Sequence, residues 1–126
     1  MKFSFAKNFQ KNIPLLYPVF CEKKKIVPSG LRPLDQLVQK LHQEKHFEGK
    51  PGEVLTKFSE TGKMPNRVIV FCLGEAKKLG APKTLEYIAG ALHEASKEKG
   101  SKLSFFLPEN LVPYAASVAE SFVMTN

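Results

Sequence analysis

The sequence contains no apolar run long enough to cross a membrane. Its longest nearly apolar stretch, Ile13 to Cys21, is interrupted by Pro14 and Pro18 and is far shorter than the roughly 20 residues that a transmembrane helix requires. Lysines near the amino terminus leave no room for the apolar core of a secretory signal peptide. We therefore expect a cytoplasmic protein without a membrane partner.

Cysteine is also scarce in this chain. The two cysteines, Cys21 and Cys72, lie in separate strand-like segments and show no CxxC spacing. This pattern indicates neither a disulfide framework nor a thiolate metal site. We predict two reduced thiols in the core of the protein.

Arginine accounts for only two of the 19 basic residues, although the formal net charge is +7. The charge is uneven, because residues 1–63 carry 12 basic and 6 acidic side chains while residues 64–126 carry 7 and 6. A positive surface attracts nucleic acid, but lysine is a poorer reader of bases than arginine. A solvated lysine-rich surface is the simpler interpretation, and DNA binding through the basic first half is the alternative.

The 126 residues suit one domain with a single stable core. Met1 to Ala6 alternates between polar and apolar residues, which predicts an outer strand. Val68 to Leu73 is apolar throughout, which predicts a central strand covered on both faces. Pro18 cannot donate to a sheet ladder, so its strand is expected at an edge or with a bulge. The complete set of predicted strands covers residues 1–6, 15–21, 53–59, 68–73 and 103–107.

Three amphipathic helices are predicted between and after these strands. The first begins at Pro33 and fades near His46, the second begins at Pro82, and the third runs from Asn110 to about Met124. In the second helix the apolar stripe is predicted to consist of Leu85, Ile88, Ala89, Leu92 and Ala95. With right-handed crossovers, this order gives an α/β fold: a three-layer α/β/α sandwich with a mixed sheet, in which a βαβα unit lies beside the strands of the first half.

The sequence shows no constellation of catalytic side chains. His42 and His46 have the i, i+4 spacing of zinc proteases, but Gln43 stands where the general base would be. We interpret them as exposed histidines at a helix end. Gly74 follows the central strand without the further glycines of a dinucleotide fingerprint. We therefore assign no catalytic, cofactor-binding or metal-binding residue to this chain, and the pattern favours a binding, regulatory or assembly role.

Two groups of residues nevertheless resemble a known family. An aromatic residue followed by Gly-Lys and Gly is present as Phe47, Gly49, Lys50 and Gly52. A strand closing in Gly, then a loop and a helix containing Ala-Gly, is present in the segment from Arg67 to Gly90, and Leu107-Pro108 fits the strand end that follows. In this order the residues resemble the amino-terminal domain of the leucyl (cytosol) aminopeptidases.

The resemblance implies a macrodomain-like fold and a parent enzyme that removes amino-terminal residues from peptides. In such enzymes two zinc or manganese ions lie in a separate carboxy-terminal domain, whose Asn-Thr-Asp-Ala-Glu-Gly-Arg stretch is absent from these residues. The partners implied are that catalytic domain and neighbouring subunits of a homo-oligomer, usually a hexamer. The alternatives are a nucleotide or ADP-ribose binding module and a nucleic-acid-binding module.

Overall fold

The structure is a computed structural model that describes residues 2–60, 62–80, 82–97, 100 and 102–125. Residues 124 and 125 are described by their backbone alone. Within these residues, six strands, three α-helices and two 3₁₀ turns follow one another along the chain. In order they are β1 Lys2–Ala6, β2 Leu15–Glu22, β3 Lys25–Val27, α1 Arg32–Gln43, β4 Val54–Phe58, β5 Arg67–Cys72, a 3₁₀ turn Ala76–Lys78, α2 Pro82–Ser96, β6 Lys102–Phe106, a 3₁₀ turn Glu109–Tyr114 and α3 Ala115–Thr125.

The six strands form one mixed sheet in the order β1-β6-β2-β5-β4, with β3 paired to the carboxyl end of β2. Neighbours among β1, β6, β2 and β5 are parallel, while β4 is antiparallel to β5 and β3 is antiparallel to β2. The outer position predicted for the first strand is confirmed, although Met1 lies outside the described residues. The mixed sheet is also confirmed.

Helices cover both faces of the sheet, as predicted for a three-layer α/β/α sandwich. On β5, Val68 and Val70 pack in the cluster that contains the buried face of α1. Ile69 and Phe71 pack in the cluster that contains α2 and α3. Because successive side chains of a strand point to opposite faces, a strand that is covered on both sides must be apolar at every position. This explains the unbroken apolar run and confirms the central position of β5.

The edge position predicted for the proline-containing strand is wrong. β2 lies inside the sheet, with β6 on one side and β5 on the other. Its pairing with β6 covers only Leu15 and Leu16, and its pairing with β3 begins at Phe20. Pro18 falls between these two ladders on that side, while on the other side the Val19 carbonyl accepts a bond from the N–H of Leu73, the residue after β5. The missing proline N–H therefore interrupts no ladder, since alternate residues of a strand bond to alternate neighbours.

The place of the βαβα unit is also different from the prediction. β5, α2, β6 and α3 follow one another as expected, but β2 lies between β5 and β6 instead of beside the unit. A further strand, β3, was not predicted. It forms a hairpin with β2 through Lys23 and Lys24, whose φ angles are 50° and 66°. Two left-handed residues of this kind define a type I′ turn, for which Asn-Gly is the usual sequence signal.

The predicted helices are present, with two differences in detail. The buried residues of α2 are Thr84, Ile88, Ala91, Leu92 and Ala95. Leu85, which was predicted in the stripe, is 40% exposed. The third helical segment begins as a 3₁₀ turn that contains Pro113 and becomes α-helical only at Ala115. Within the described residues, no helix is long and apolar enough to cross a membrane.

Candidate functional site

The two histidines with zinc-protease spacing do not share a helical face. α1 ends at Gln43, so His42 lies in its last turn and His46 lies beyond it. The Nδ1 atom of His42 is 3.0 Å from the Phe47 carbonyl oxygen, and the residue is half-buried rather than exposed as expected, whereas His46 is exposed. In the described ranges, no group of three His, Cys, Asp or Glu side chains is placed to hold a metal ion.

A cleft of about 830 Å³ lies at the carboxyl ends of β2 and β5. These two parallel strands are neighbours, and the chain leaves them in opposite directions. It passes from β2 to α1 on one face of the sheet and from β5 to α2 on the other face. Such a point of divergence opens a crevice between the strand ends, which is the usual ligand position in open α/β sheets.

One wall of the cleft is the loop that precedes β4. The Glu53 carboxylate accepts hydrogen bonds from the backbone N–H groups of Glu48, Gly49 and Lys50 at 3.1, 2.8 and 3.1 Å. Gly49 has a φ of +81°, and a side-chain carbon there would lie 2.8 Å from Ile26 Cδ1. Glycine suits this left-handed conformation, and a residue with a side chain would in addition displace the end of the Ile26 side chain. The Phe47 to Gly52 segment singled out in the sequence thus builds a wall of the cleft.

The floor of the cleft is the end of β5, where Leu73, Gly74 and Glu75 follow the last paired residue. Gly74 has a φ of +80°, and its carbonyl oxygen accepts a 2.9 Å hydrogen bond from the Cys21 N–H. This bond continues the pairing of the two strands two residues beyond their last ladder pair, Val19 and Cys72. It fixes the separation of the strand ends on either side of the crevice.

The remaining wall is formed by the 3₁₀ turn after β5 and the first two turns of α2. Thr84 Oγ1 donates to the Lys78 carbonyl oxygen at 3.4 Å and ties the helix start to the preceding turn. The Tyr87 ring lies against Gly52, where an added side-chain carbon would be 2.9 Å from Tyr87 Cδ1. The walls from α2 and from the loop before β4 therefore meet directly.

Both thiols are free, but only one belongs to the core. Cys72 is fully buried and its Sγ lies 3.3 Å from the Gly49 carbonyl oxygen, while burial raises the pKa of this thiol to about 11. Cys21 is half-buried and lines the cleft. Burial raises the pKa of Cys21 as well. A reactive cysteine needs the opposite shift, so neither thiol has the electrostatic surroundings of a nucleophile.

Four lysines and two glutamates give the cleft a positive lining. The lysines are Lys23, Lys24, Lys78 and Lys83, and the glutamates are Glu75 and Glu86. No local sequence pattern marks this group, because its members come from three separate segments of the chain.

The fold and the cleft define a class: an α/β sandwich domain with a ligand-sized crevice where its central parallel strands diverge. The model of the N-terminal domain of the cytosol aminopeptidase family matches residues 18–126. The chain therefore belongs to this family, and the resemblance found in the sequence is confirmed. A search of curated proteins finds no match.

Proposed function

We propose that this chain is a non-catalytic accessory domain of a cytosolic leucyl aminopeptidase. The observation that carries the proposal is the match to the family's N-terminal domain over residues 18–126. In this proposal a separate domain holds the two zinc or manganese ions and removes amino-terminal residues from peptides. The accessory domain supports assembly of the enzyme and access to its active sites.

The chemistry of the described side chains supports a non-catalytic role. His42 is engaged with the Phe47 carbonyl group, and His46 is separated from it by the end of α1. The thiols of Cys21 and Cys72 are held in their protonated form by burial. These are the residue types that would otherwise supply metal ligands or nucleophiles.

The free edge of the sheet supports a role in assembly. β4 ends the strand order, and no described strand pairs with its outer side. Phe58 at the end of this strand is 67% exposed. An unpaired edge that carries an exposed aromatic ring is a surface that another subunit or domain can cover.

The test of the non-catalytic role is a peptidase assay on the purified chain. We expect no hydrolysis of leucine p-nitroanilide after addition of Zn²⁺ or Mn²⁺, while a complete aminopeptidase in the same buffers shows that the assay works. Turnover that copurifies with the chain would reject the proposal. Reading the gene beyond Asn126 is the second test, and we expect it to encode a metal-binding domain.

The test of the assembly role is sedimentation velocity on the aminopeptidase that carries this domain. We expect Phe58→Ser to shift the enzyme towards smaller species, because it removes an exposed apolar ring at the sheet edge. Lys57→Ser is the matched control, since Lys57 is an exposed neighbour on the same strand and its side chain points to the opposite face. Identical sedimentation of the wild type and both variants would exclude assembly through β4.

A further inference from the structure

We infer that the cleft at the carboxyl ends of β2 and β5 binds a small organic phosphate, such as a nucleotide. The phosphate lies among the lysines of the lining, and the apolar or aromatic body of the ligand lies against the apolar side chains of the cleft. This inference goes beyond the proposed function. The inference depends on the position, the charge, the size and the local backbone of the cleft.

The position follows from the topology of the sheet. The chain leaves the carboxyl ends of β2 and β5 towards opposite faces, so the strand ends are not covered by a crossing connection. Backbone groups at these ends lie in the crevice between the two exits. The position therefore does not depend on any single side chain.

The charge of the lining favours an anion. The four lysines named above outnumber Glu75 and Glu86, and Glu75 Oε2 is already 3.3 Å from Lys77 Nζ. The start of α2 adds to this field, because its first turn contains Lys83 and no acidic residue. The positive end of a helix dipole is normally compensated by an acidic side chain or by a bound anion. Here the lysines and the helix start face the same cleft.

The size and the apolar surface favour an organic phosphate over inorganic phosphate. A cleft of about 830 Å³ is within the range of roughly 300–1,000 Å³ that is typical of small-molecule sites. Inorganic phosphate would leave most of this space filled with water. Pro51, Leu73, Pro82 and Tyr87 contribute apolar surface to the lining. An aromatic base or another apolar body would bury that surface together with the phosphate.

The hairpin at the rim provides an independent observation. Lys23 and Lys24 both adopt left-handed φ angles, although glycine and asparagine suit a type I′ turn better. Left-handed backbone is unfavourable for a residue that carries a side chain. The chain thus places two ammonium groups at the mouth of the cleft against its local conformational preference. Departures of this kind are concentrated at functional sites.

The experiment is isothermal titration calorimetry of the chain with ADP, adenosine and sodium pyrophosphate as probes. We expect ADP to bind more tightly than either fragment, because only ADP supplies both the charge and the aromatic body. The double variant Lys78→Ala/Lys83→Ala should weaken ADP binding at least tenfold. The control is Lys57→Ala/Lys102→Ala, which removes two exposed lysines near the amino ends of β5 and β6. This control should bind ADP like the wild type.

Alkylation of Cys21 by iodoacetamide at alkaline pH, where part of this thiol is ionised, gives a second readout inside the cleft. We expect saturating ADP to slow this reaction at least fivefold, while Cys72 stays unmodified because it is buried. Circular dichroism of each variant separates loss of binding from loss of fold. Absence of both heat and protection at millimolar ADP would overturn the inference. Equal affinity for adenosine and ADP, or equal weakening by the two double variants, would overturn it as well.

Discussion

Replacing Tyr17 by phenylalanine tests the hydrogen bonds that fix the start of α1 against β2. The Tyr17 ring is fully buried, and its hydroxyl group donates to Asp35 Oδ1 at 2.5 Å and accepts from the Leu31 N–H at 3.1 Å. Burial, followed by the hydrogen bond to Asp35, raises the pKa of this hydroxyl well above its ordinary value. The group is therefore protonated, and able to donate, throughout the neutral pH range.

The expected loss of stability follows from the two bonds. A hydrogen bond to a charged group contributes about 1.5–3 kcal/mol. The Leu31 N–H also loses its acceptor at a half-buried position, which adds about 1 kcal/mol because water can reach it in part. The Asp35 carboxylate keeps the bonds from the Ser29 and Gly30 N–H groups at 3.0 and 3.1 Å. We therefore expect Tyr17→Phe to lower the free energy of unfolding by about 3 kcal/mol.

Urea denaturation followed by circular dichroism measures this change, and two further tyrosines provide controls. The Tyr114 hydroxyl makes one long bond, 3.4 Å to the Leu79 carbonyl oxygen, so Tyr114→Phe should cost about 1 kcal/mol or less. The Tyr87 hydroxyl has no hydrogen bond to any residue that the structure describes, so Tyr87→Phe should be nearly neutral. A Tyr17→Phe protein as stable as Tyr87→Phe would refute the reasoning.

Two further predictions concern a buried charge and a buried thiol. Arg67 is 7% exposed, and its guanidinium group donates to the carbonyl groups of Glu94 and Ala95 at the end of α2. We therefore expect Arg67→Met to lower the free energy of unfolding, measured by urea denaturation, by about 1–3 kcal/mol. Arg32→Met, at an exposed position, is the control, and an unchanged stability of Arg67→Met would contradict the role assigned to Arg67. Because burial raises the pKa of Cys72 from 9.0 to about 11, the folded protein retains a proton that the unfolded chain releases above about pH 9. Between pH 9 and 11 the free energy of unfolding of the wild type should therefore fall by roughly 2 kcal/mol more than that of Cys72→Ala. Urea denaturation at a series of pH values measures this difference, and an equal fall for the two proteins would be inconsistent with the raised pKa.

The parts of the fold that the sequence predicted are those set by local periodicity. β5 was identified because every residue from Val68 to Cys72 is apolar, and both of its faces are buried. α1 was identified because Leu34, Val38 and Leu41 recur on one face, and these residues are its buried side chains. In each of these two elements, the residue types within a short stretch of sequence are enough to predict which side chains are buried.

The parts that the sequence did not predict depend on contacts with distant segments. The interior position of β2 depends on where its ladders with β6 and β3 end, and Pro18 is compatible with either an edge or a gap between ladders. β3 was missed because its turn consists of two lysines instead of Asn-Gly. The stripe of α2 was misjudged because Thr84 is buried and Leu85 is exposed. Which side of α2 is buried is therefore determined by the elements packed against it and not by helical periodicity alone.

The cleft shows why the family was recognisable from the sequence while the proposed ligand site was not. Gly49 and Gly74 both adopt left-handed φ angles, and each lies close to a side chain of a neighbouring segment, Ile26 and Pro51 respectively. These glycines specify the course of the backbone around the crevice, and a sequence pattern that contains them identifies the shape of the site. Lys23 and Lys24, two of the lysines of the proposed ligand site, lie outside the two segments that carry the resemblance, so those segments alone do not predict the positive charge of the lining.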